Sequence, residues 1–450
     1  MSNDAPQPKK SPPPEHLVVY YDARDGSYLY QLGGRFLTLG KQELKLHLHA
    51  AGMVEKEWYD AEEGRLDAFN WILWNSHRKH MIDYSGPLAG HRAGLFKDGS
   101  GRQYLVTSEA AGAWDKMPKK VKPKFFKAFL EELLGEHDQW LHLCHWLAIG
   151  LRSMRRGDFR PGQVCVFAGE AQCGKSLLQA IITEIFGGRA ASPFLYMMGK
   201  TNWNDDLAGS EHWMIEDPGT TTDIRTRREF GAKLKEATVN RDISINARHK
   251  SSMQLPIWRR VTISVNSEPE NLAVVPPMDA SIQDKVFLFF CDRATKCLNQ
   301  FRSPEGDIDR QSTWDAVRAE IPTIRAWLLN TFKEVPTAFK DDRFGIRAWH
   351  HPDLMAELSN LSAESRLLAL MDDVLFKNIE IYTGKAMDIE KALRGSDFAF
   401  EAEKILKYNS ACGTYLARLQ KSYPDRFSKR VVHGSTIWTI TKPANNEDED

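Results

Sequence analysis

The chain has 450 residues, 42% hydrophobic and 27% charged, which excludes a disordered polymer and suffices for roughly two to four domains. Its 60 basic and 60 acidic residues cancel, so any nucleic-acid surface has to be a local patch and not a global field. The six cysteines, Cys144, Cys165, Cys173, Cys291, Cys297 and Cys412, form no C-x-x-C pair and no zinc-ligand spacing, and no apolar run reaches bilayer length, so reduced thiols, a cytoplasmic address and no membrane contact are expected.

Residues 1–15 are polar and proline-rich and are expected to be disordered, not a signal peptide. Residues 16–120 are expected to form an α+β region: HLVVYYD and SYLYQLGGRFLTLG, broken by Asp-Gly and Gly-Gly, predict a small hairpin-like β unit, and YSGPLAGHRAGLFKDGSGRQYLVTSEA is a second turn-rich β patch. Over residues 121–160 a helical collar is predicted; basic KMPKKVKPKFFK fits a nucleic-acid backbone contact but reads better as a solvated face ahead of the helical run FFKAFLEELLGEHDQWLHLCHWLAIGLRSMRRG. Residues 161–300 alternate apolar strands with amphipathic helices, the pattern of a doubly wound α/β core. A helical extension over 301–345 and the linker KDDRFGIRAWHHP lead to residues 346–442, and NNEDED closes the chain within an acidic tail, 443–450.

Within the core, VCVFAGEAQCGKS (164–176) is an apolar strand entering G-x-x-x-x-G-K-S. In such a loop Gly169 and Gly174 let backbone N–H groups turn toward phosphate oxygens, with Glu170, Ala171, Gln172 and Cys173 between them; Lys175 reaches the outer phosphates and the Ser176 hydroxyl ligates Mg²⁺. Leu177 to Phe186 continues at helical spacing and ends in Gly187-Gly188, so the loop opens a helix whose N-terminus favours anions. ATP with Mg²⁺ is the expected ligand.

Three further signals follow. EHWMIEDP places the apolar trio Trp213-Met214-Ile215 before Glu216 and Asp217, a carboxylate pair delivered to the carboxyl edge of a sheet, where one member can hold Mg²⁺ and the other can orient the attacking water. RVTISVNSEP is a β-branched strand ending in Asn266, suited to the γ-phosphate or the lytic water, although an asparagine simply capping a strand end fits the same residues. Between them, FGAKLKEATVNRDISINARHKSSMQLP predicts a helix carrying Lys233 and Lys235, then two short strands flanking Ala247-Arg248-His249-Lys250, a basic tip of the kind that probes a phosphate backbone.

In this order the motifs resemble the superfamily 3 helicases of the AAA+ class, and AGHRAGLFKDGSGRQYLVTSEA, GEAQCGKSLLQAIITEIFGG, EHWMIEDP, RTRREFGAKLKEATVN and TISVNSEPENL look like the primase-helicase type of phages and mobile genetic elements. The resemblance runs from Asp83 to Phe290. It implies that Lys175 and Ser176 bind nucleotide and Mg²⁺, beside Leu177; that Glu216 and Asp217 are Walker B and Asn266 is sensor 1; and that Arg248, His249 and Lys250 contact single-stranded DNA in the channel of a homo-oligomer, a hexamer. A bacterial, nucleoid-associated setting follows from it. An arginine supplied to the neighbouring subunit is expected after the asparagine, where the chain reads MDASIQDKVFLFFCDRA: Arg293 is the candidate, with Lys285, Arg259 and Arg260 as rivals. Asp22 and Asp25 in VVYYDARDG are better explained by a hairpin turn than by a primase metal site, so no priming is expected.

At the C-terminus a helix from Ser396 through Tyr408, a turn at Asn409-Ser410, a helix from Ala411 to about Lys421 and a hairpin around His433-Gly434-Ser435 give a winged-helix-like order. Arg418, Lys421, Arg426, Lys429 and Arg430 make it a candidate duplex-DNA contact or, alternatively, a packing module. Two other functions fit the same motifs: an ATP-regulated DNA-binding initiator without unwinding, and a nucleotide-sensing ATPase that meets no nucleic acid.

Overall fold

Strands buried on both faces have to be apolar along their whole length, and five segments answer to that or lie beside one that does. A computed structural model of the chain describes residues 17–52, 57–60, 64–118, 122–135, 138–216, 224–248, 250–276, 278, 280–303, 306–360, 363–377 and 379–442. In it Val164–Gly169, Arg260–Asn266 and Val286–Cys291 form the middle and one edge of a five-stranded parallel sheet, continued by His212–Glu216 and Ala190–Ala191 on the other side. Gly169 lies beside Asn266 on one flank and Cys291 on the other, while Glu216 lies beside Ser264. The carboxyl ends of the strands that carry the loop, the acid and the asparagine therefore share one edge. The termini at 1–15 and 443–450, Asp217 and His249 lie outside the described residues.

Helix Lys175–Ile185 buries Leu178, Ile181, Ile182 and Ile185 on this sheet. The expected single helical run before it is instead two helices, Phe125–Leu133 and Gln139–Arg156. The break falls where the backbone leaves the helical region: Asp138 adopts φ 59° just before the second helix, a left-handed conformation that cannot continue a right-handed one. The first helix is capped from afar, since the Glu320 carboxylate accepts from the N–H groups of Lys124, Phe125 and Phe126 at 2.5, 3.0 and 3.0 Å. An anion on otherwise orphaned N–H groups is the favoured partner for a helix start. Glu320 belongs to helix Arg310–Thr331, the predicted extension.

The expected linker after that helix is packed. Phe344 and Ile346 are buried, Leu288 N–H donates to the Trp349 carbonyl (3.0 Å), and the Trp349 ring stacks on Phe289 at 6.0 Å. Two aromatic or aliphatic side chains with access to a core outweigh the polar residues around them.

The N-terminal region contains the expected β units. Val19–Asp22, Ser27–Leu32 and Arg35–Leu39 form an antiparallel meander, with Met81–Ile82 parallel to its first strand. Tyr84–Gly86, Gly94–Lys97 and Gln103–Val106 form a second sheet. Asp22 and Asp25 are both engaged: buried Asp22 accepts from Ser85 Oγ (2.6 Å) and Arg24 N–H (2.9 Å), and Asp25 accepts from Ser27 N–H (3.0 Å) and pairs with Lys250 (2.5 Å).

The chain divides into two units. The first holds the described residues up to Asn266 and Asp284–Trp349; the second holds residues 267–283 and the described residues from His350 onward. In the second, helices Ala363–Leu375, Ala386–Arg394, Ala399–Ile405 and Ala411–Ser422 surround a core that includes Leu367, Met371, Ile389, Leu416 and Trp438. Strands Phe427–Val432 and Ser435–Thr441 make the hairpin around His433-Gly434, and Ile381–Gly384 adds a third antiparallel strand. The helix expected from Ser396 begins at Ala399 and ends at Ile405; Ser396 Oγ accepts from Phe398 N–H (3.1 Å) in the turn ahead of it. Arg418 is paired with Glu364, and Arg426 with Asp372 at 2.6 Å, whereas Lys421, Lys429 and Arg430 are exposed. Among the described residues no helix is long and apolar enough to cross a membrane.

Candidate functional site

The glycine-rich loop between the strand at 164–169 and the helix that follows owes its shape to two glycines. A Cβ on Gly169 would lie 2.2 Å from the Cys291 carbonyl oxygen, so only glycine lets the loop strand meet its neighbour there. Gly174 adopts φ 124° with Phe129 and Leu133 beneath it, a conformation side chains rarely take. Between them Gln172 is left-handed at φ 61°, and Cys173 N–H turns back to the Glu170 carbonyl (3.4 Å). Lys175 is buried, and its Nζ donates to the carbonyl oxygens of Gly169 and Glu170 (2.7 Å each) and to Asn266 Oδ1 (3.3 Å), 3.7 Å from Cys173 Sγ. The ammonium is thus held at the loop entrance by neutral acceptors, which an anion readily replaces. Ser176 and Leu177 start the helix, with Ser176 exposed; Glu170, Ala171 and Gln172 are exposed as well.

Glu216 is exposed at the end of its strand, while Asp217 is outside the described residues. Among the described residues no cluster of three or more His, Cys, Asp or Glu side chains could hold a metal by itself. A cation at this edge would share the Ser176 hydroxyl and the Glu216 carboxylate with the oxygens of a bound triphosphate, a donor set that suits Mg²⁺.

A buried polar network, invisible in the sequence motifs, ties these elements together. Thr183 Oγ1 donates to the Gln179 carbonyl (3.1 Å) and contacts His212 Nδ1 (2.7 Å), which makes Nδ1 the protonated nitrogen. His212 Nε2 then accepts from Thr262 Oγ1 (2.8 Å), which itself accepts from Gln179 Nε2 (2.8 Å); the same amide donates to the Ile215 carbonyl (3.2 Å), one residue before Glu216. Full burial pushes the His212 pKa down to about 3, so the ring is neutral. The loop helix, the acid strand and the asparagine strand are locked by one set of bonds. A lone histidine before an apolar trio gave no sign of it, because its partners lie on two other elements.

The four candidate arginine-finger positions separate clearly. Arg259 and Arg260 are 2% and 1% exposed. Arg259 donates to the carbonyls of Ala237, Ile257, Glu236 and Asn240 at 2.8, 2.8, 3.2 and 2.5 Å. Arg260 donates to those of Arg160 and Arg259 and lies 4.8 Å over the Trp258 ring. Burial lowers both pKa values to about 9, still charged at neutral pH. Lys285 Nζ is paired with Asp284 at 2.6 Å. Arg293 lies at the loop of its own chain, its guanidinium 3.4 Å from the Glu170 carboxylate.

The basic hairpin has the expected form, Asp242–Ile245 antiparallel to Met253–Pro256. Arg248 at its tip is exposed. Lys250, however, is ion-paired with Asp25 of the N-terminal turn (2.5 Å), and Arg102 Nη1 donates to the Gln254 carbonyl (3.3 Å) on the returning strand. Lys233 donates to Tyr196 Oη (2.9 Å) and Glu236 (3.0 Å), and Lys235 lies on the same helix, Ile224–Val239; His249 is outside the described residues. A residue outside the sequence motifs stands beside the hairpin: Trp203 is 47% exposed. Its neighbours are laced to the outgoing strand, with Asn204 Nδ2 donating to the Ser244 carbonyl (2.9 Å), Asn246 N–H to Asn204 Oδ1 (2.7 Å) and Asn246 Nδ2 to the Asn202 carbonyl (3.2 Å).

No protein-family model matches this chain, and no curated protein matches it in sequence. Solved structures do. The apo structure of the NrS-1 C-terminal region (305–718) superposes with a TM-score of 0.55 at 13% identity, covering 95% of this chain and 96% of that one. An A form of the same region gives 0.56 at 13%, with 95% and 97% covered. SCCmec type IV Cch, an active helicase, is matched over 91% of this chain and 74% of that one, but at 10% identity and a TM-score of 0.32 the likeness carries no weight. The chain shares its fold with the NrS-1 C-terminal region: a mixed α/β architecture around a five-stranded parallel sheet.

Proposed function

We propose that this protein is an ATP-dependent DNA helicase or translocase of the superfamily 3 type, acting in the replication of a phage, plasmid or mobile element. The observation that carries the reading is the meeting of Lys175 Nζ with Asn266 Oδ1 at 3.3 Å, on an edge where Glu216 ends the adjoining strand. A phosphate-reaching cation, a polar group for the outermost phosphate and a carboxylate for water or metal are the parts that phosphoryl transfer to water needs, since its catalysis is mostly positioning and electrostatics. On ATP arrival the Lys175 ammonium exchanges the Gly169 and Glu170 carbonyls for phosphate oxygens. Ser176, Glu216 and Asp217 would hold Mg²⁺, which neutralises charge on the outer phosphates. Asn266 and the acidic pair then orient water in line with the γ-phosphate.

The DNA interface is the hairpin Asp242–Pro256 with Arg248, His249 and Lys250, backed by Lys233 and Lys235. Trp203 adds a stacking surface beside it, the pairing of aromatic face and cation that binds single strands without reading sequence. Copies assemble as a ring, a hexamer by the family resemblance, with the hairpins around the DNA channel. ATPase turnover measured with and without single-stranded DNA, beside a mass measurement with nucleotide, tests the reading. Turnover indifferent to DNA in a chain that stays monomeric would refute it.

One observation favours a second reading, an ATP-regulated DNA-binding initiator without unwinding. Lys421, Lys429 and Arg430 are exposed along a helix followed by a hairpin, a winged-helix-like arrangement suited to duplex DNA. Strand displacement on a forked duplex separates the two.

A further inference from the structure

We infer that Arg293 serves the nucleotide of its own chain, with Glu170 holding its guanidinium at the loop until the triphosphate arrives; the inference rests on the ATP-hydrolysing reading above. Three backbone links fix where Arg293 stands. Strand Val286–Cys291 pairs with the loop strand so that Cys291 lies beside Gly169. Asp292 N–H donates to the Leu133 carbonyl (2.9 Å), and Ala294 N–H donates to the Cys173 carbonyl (3.2 Å) within the phosphate loop itself. Those two bonds hold the Arg293 backbone against the loop of its own chain.

The charge arrangement says what the side chain does there. Lys175 Nζ contacts the carbonyls of Gly169 and Glu170, and since that lysine reaches the outer phosphates, Glu170 marks the outer-phosphate end of the site. A carboxylate at this place repels the triphosphate unless a cation answers it. Arg293 is that cation. The pair is loose, with side chains 57% and 75% exposed, so it is worth little in water, and a polyphosphate offering charged oxygens in fork geometry outcompetes a single carboxylate for the guanidinium. Arg293 is thereby a catalytic residue in cis, and Glu170 is a positioning residue that parks it.

The experiment uses the full chain and four variants, Lys175→Ala, Arg293→Ala, Arg293→Lys and Glu170→Gln, each checked for an unchanged melting temperature. Turnover that survives Lys175→Ala removes the hydrolytic reading itself. With turnover dependent on Lys175, Arg293→Ala is expected to lower kcat by roughly 100-fold or more while a fluorescent ATP analogue still binds, and Arg293→Lys restores part of the rate. Arg293→Ala and Lys175→Ala chains, co-expressed with different tags and purified through both, give no turnover beyond the sum of the two alone. If the chain is monomeric with ATP, the loss in Arg293→Ala alone makes the case. Glu170→Gln lowers KM for ATP, because the guanidinium no longer has to be exchanged from a carboxylate to the triphosphate. Wild-type turnover in Arg293→Ala, or recovered turnover in the mixed assemblies, would overturn the cis assignment, and an unchanged KM in Glu170→Gln would overturn the role given to Glu170.

Discussion

The glycine-rich loop and the basic hairpin each present lysines on the same unit, and the two sets are held differently. Lys175 is buried among backbone carbonyls and an asparagine oxygen, neutral partners that it gives up cheaply. Lys250 is held by a carboxylate from another part of the chain, Asp25, whose pKa is lowered by that contact and by Ser27 against the opposing effect of burial. The first cation is poised for an anion, and the second is already answered. Counting basic side chains therefore overstates the uncompensated positive charge at the hairpin tip, where Arg248 is exposed and Lys250 is paired.

That contrast can be broken at the loop first. Lys175→Ala should cut ATP turnover by at least ~10³-fold with the fold kept, because the sheet and loop helix are held by their own buried apolar contacts and not by this ammonium; circular dichroism beside a phosphate-release assay checks both halves. At the hairpin, Arg248→Ala with Lys250→Ala should spare basal hydrolysis and abolish its stimulation by single-stranded DNA. Binding titrations should show the salt slope reduced by about 1 for each cation that meets a phosphate, so Arg248→Ala alone should carry most of the change. Equal loss of basal turnover in the loop and hairpin variants would erase the distinction.

Beneath the loop, His212→Ala should destabilise the protein by about 2 to 3 kcal/mol, read from denaturant melts, because it leaves the buried Thr262 hydroxyl without the ring nitrogen it donates to. Acid should expose the same device. The unfolded chain takes up a proton near pH 6.5, whereas His212 titrates at about 3 and His145 at about 4 when folded, both through burial. Between those limits the unfolded state binds more protons, so stability is complete above pH 6.5 and falls as pH drops toward 3; the fall should be shallower in His212→Gln. The smallest effect is expected from Asp25→Asn, which frees Lys250 and should tighten single-stranded DNA by roughly twofold to fivefold at low salt.

How much of this was legible in the sequence follows from the reach of each interaction. The sheet and the strand–turn–helix form of the glycine-rich loop were, because VCVFAGEAQCGKS carries strand, turn and helix start in consecutive residues, and TISVN and WMIE announce their strands by apolar content alone. The hairpin's form was legible for the same reason. Its ion pair with Asp25 was not, since that partner stands in a turn near the start of the chain. The burial of Arg259 and Arg260 could not be read either: an arginine enters a core only where carbonyls and aromatic faces such as Trp213 and Trp258 converge on it, and that convergence exists only in the folded state. The helix break at Asp138 went unseen because a strong apolar period spans it on both sides.

The most direct test is ATP hydrolysis by the wild-type chain, with and without single-stranded DNA, beside the Arg248→Ala, Lys250→Ala double variant. Turnover that rises with DNA in the wild type and stays at its basal rate in the variant is the predicted result. Turnover that ignores DNA in both, or that rises equally in both, would contradict a motor whose loop is coupled to this hairpin.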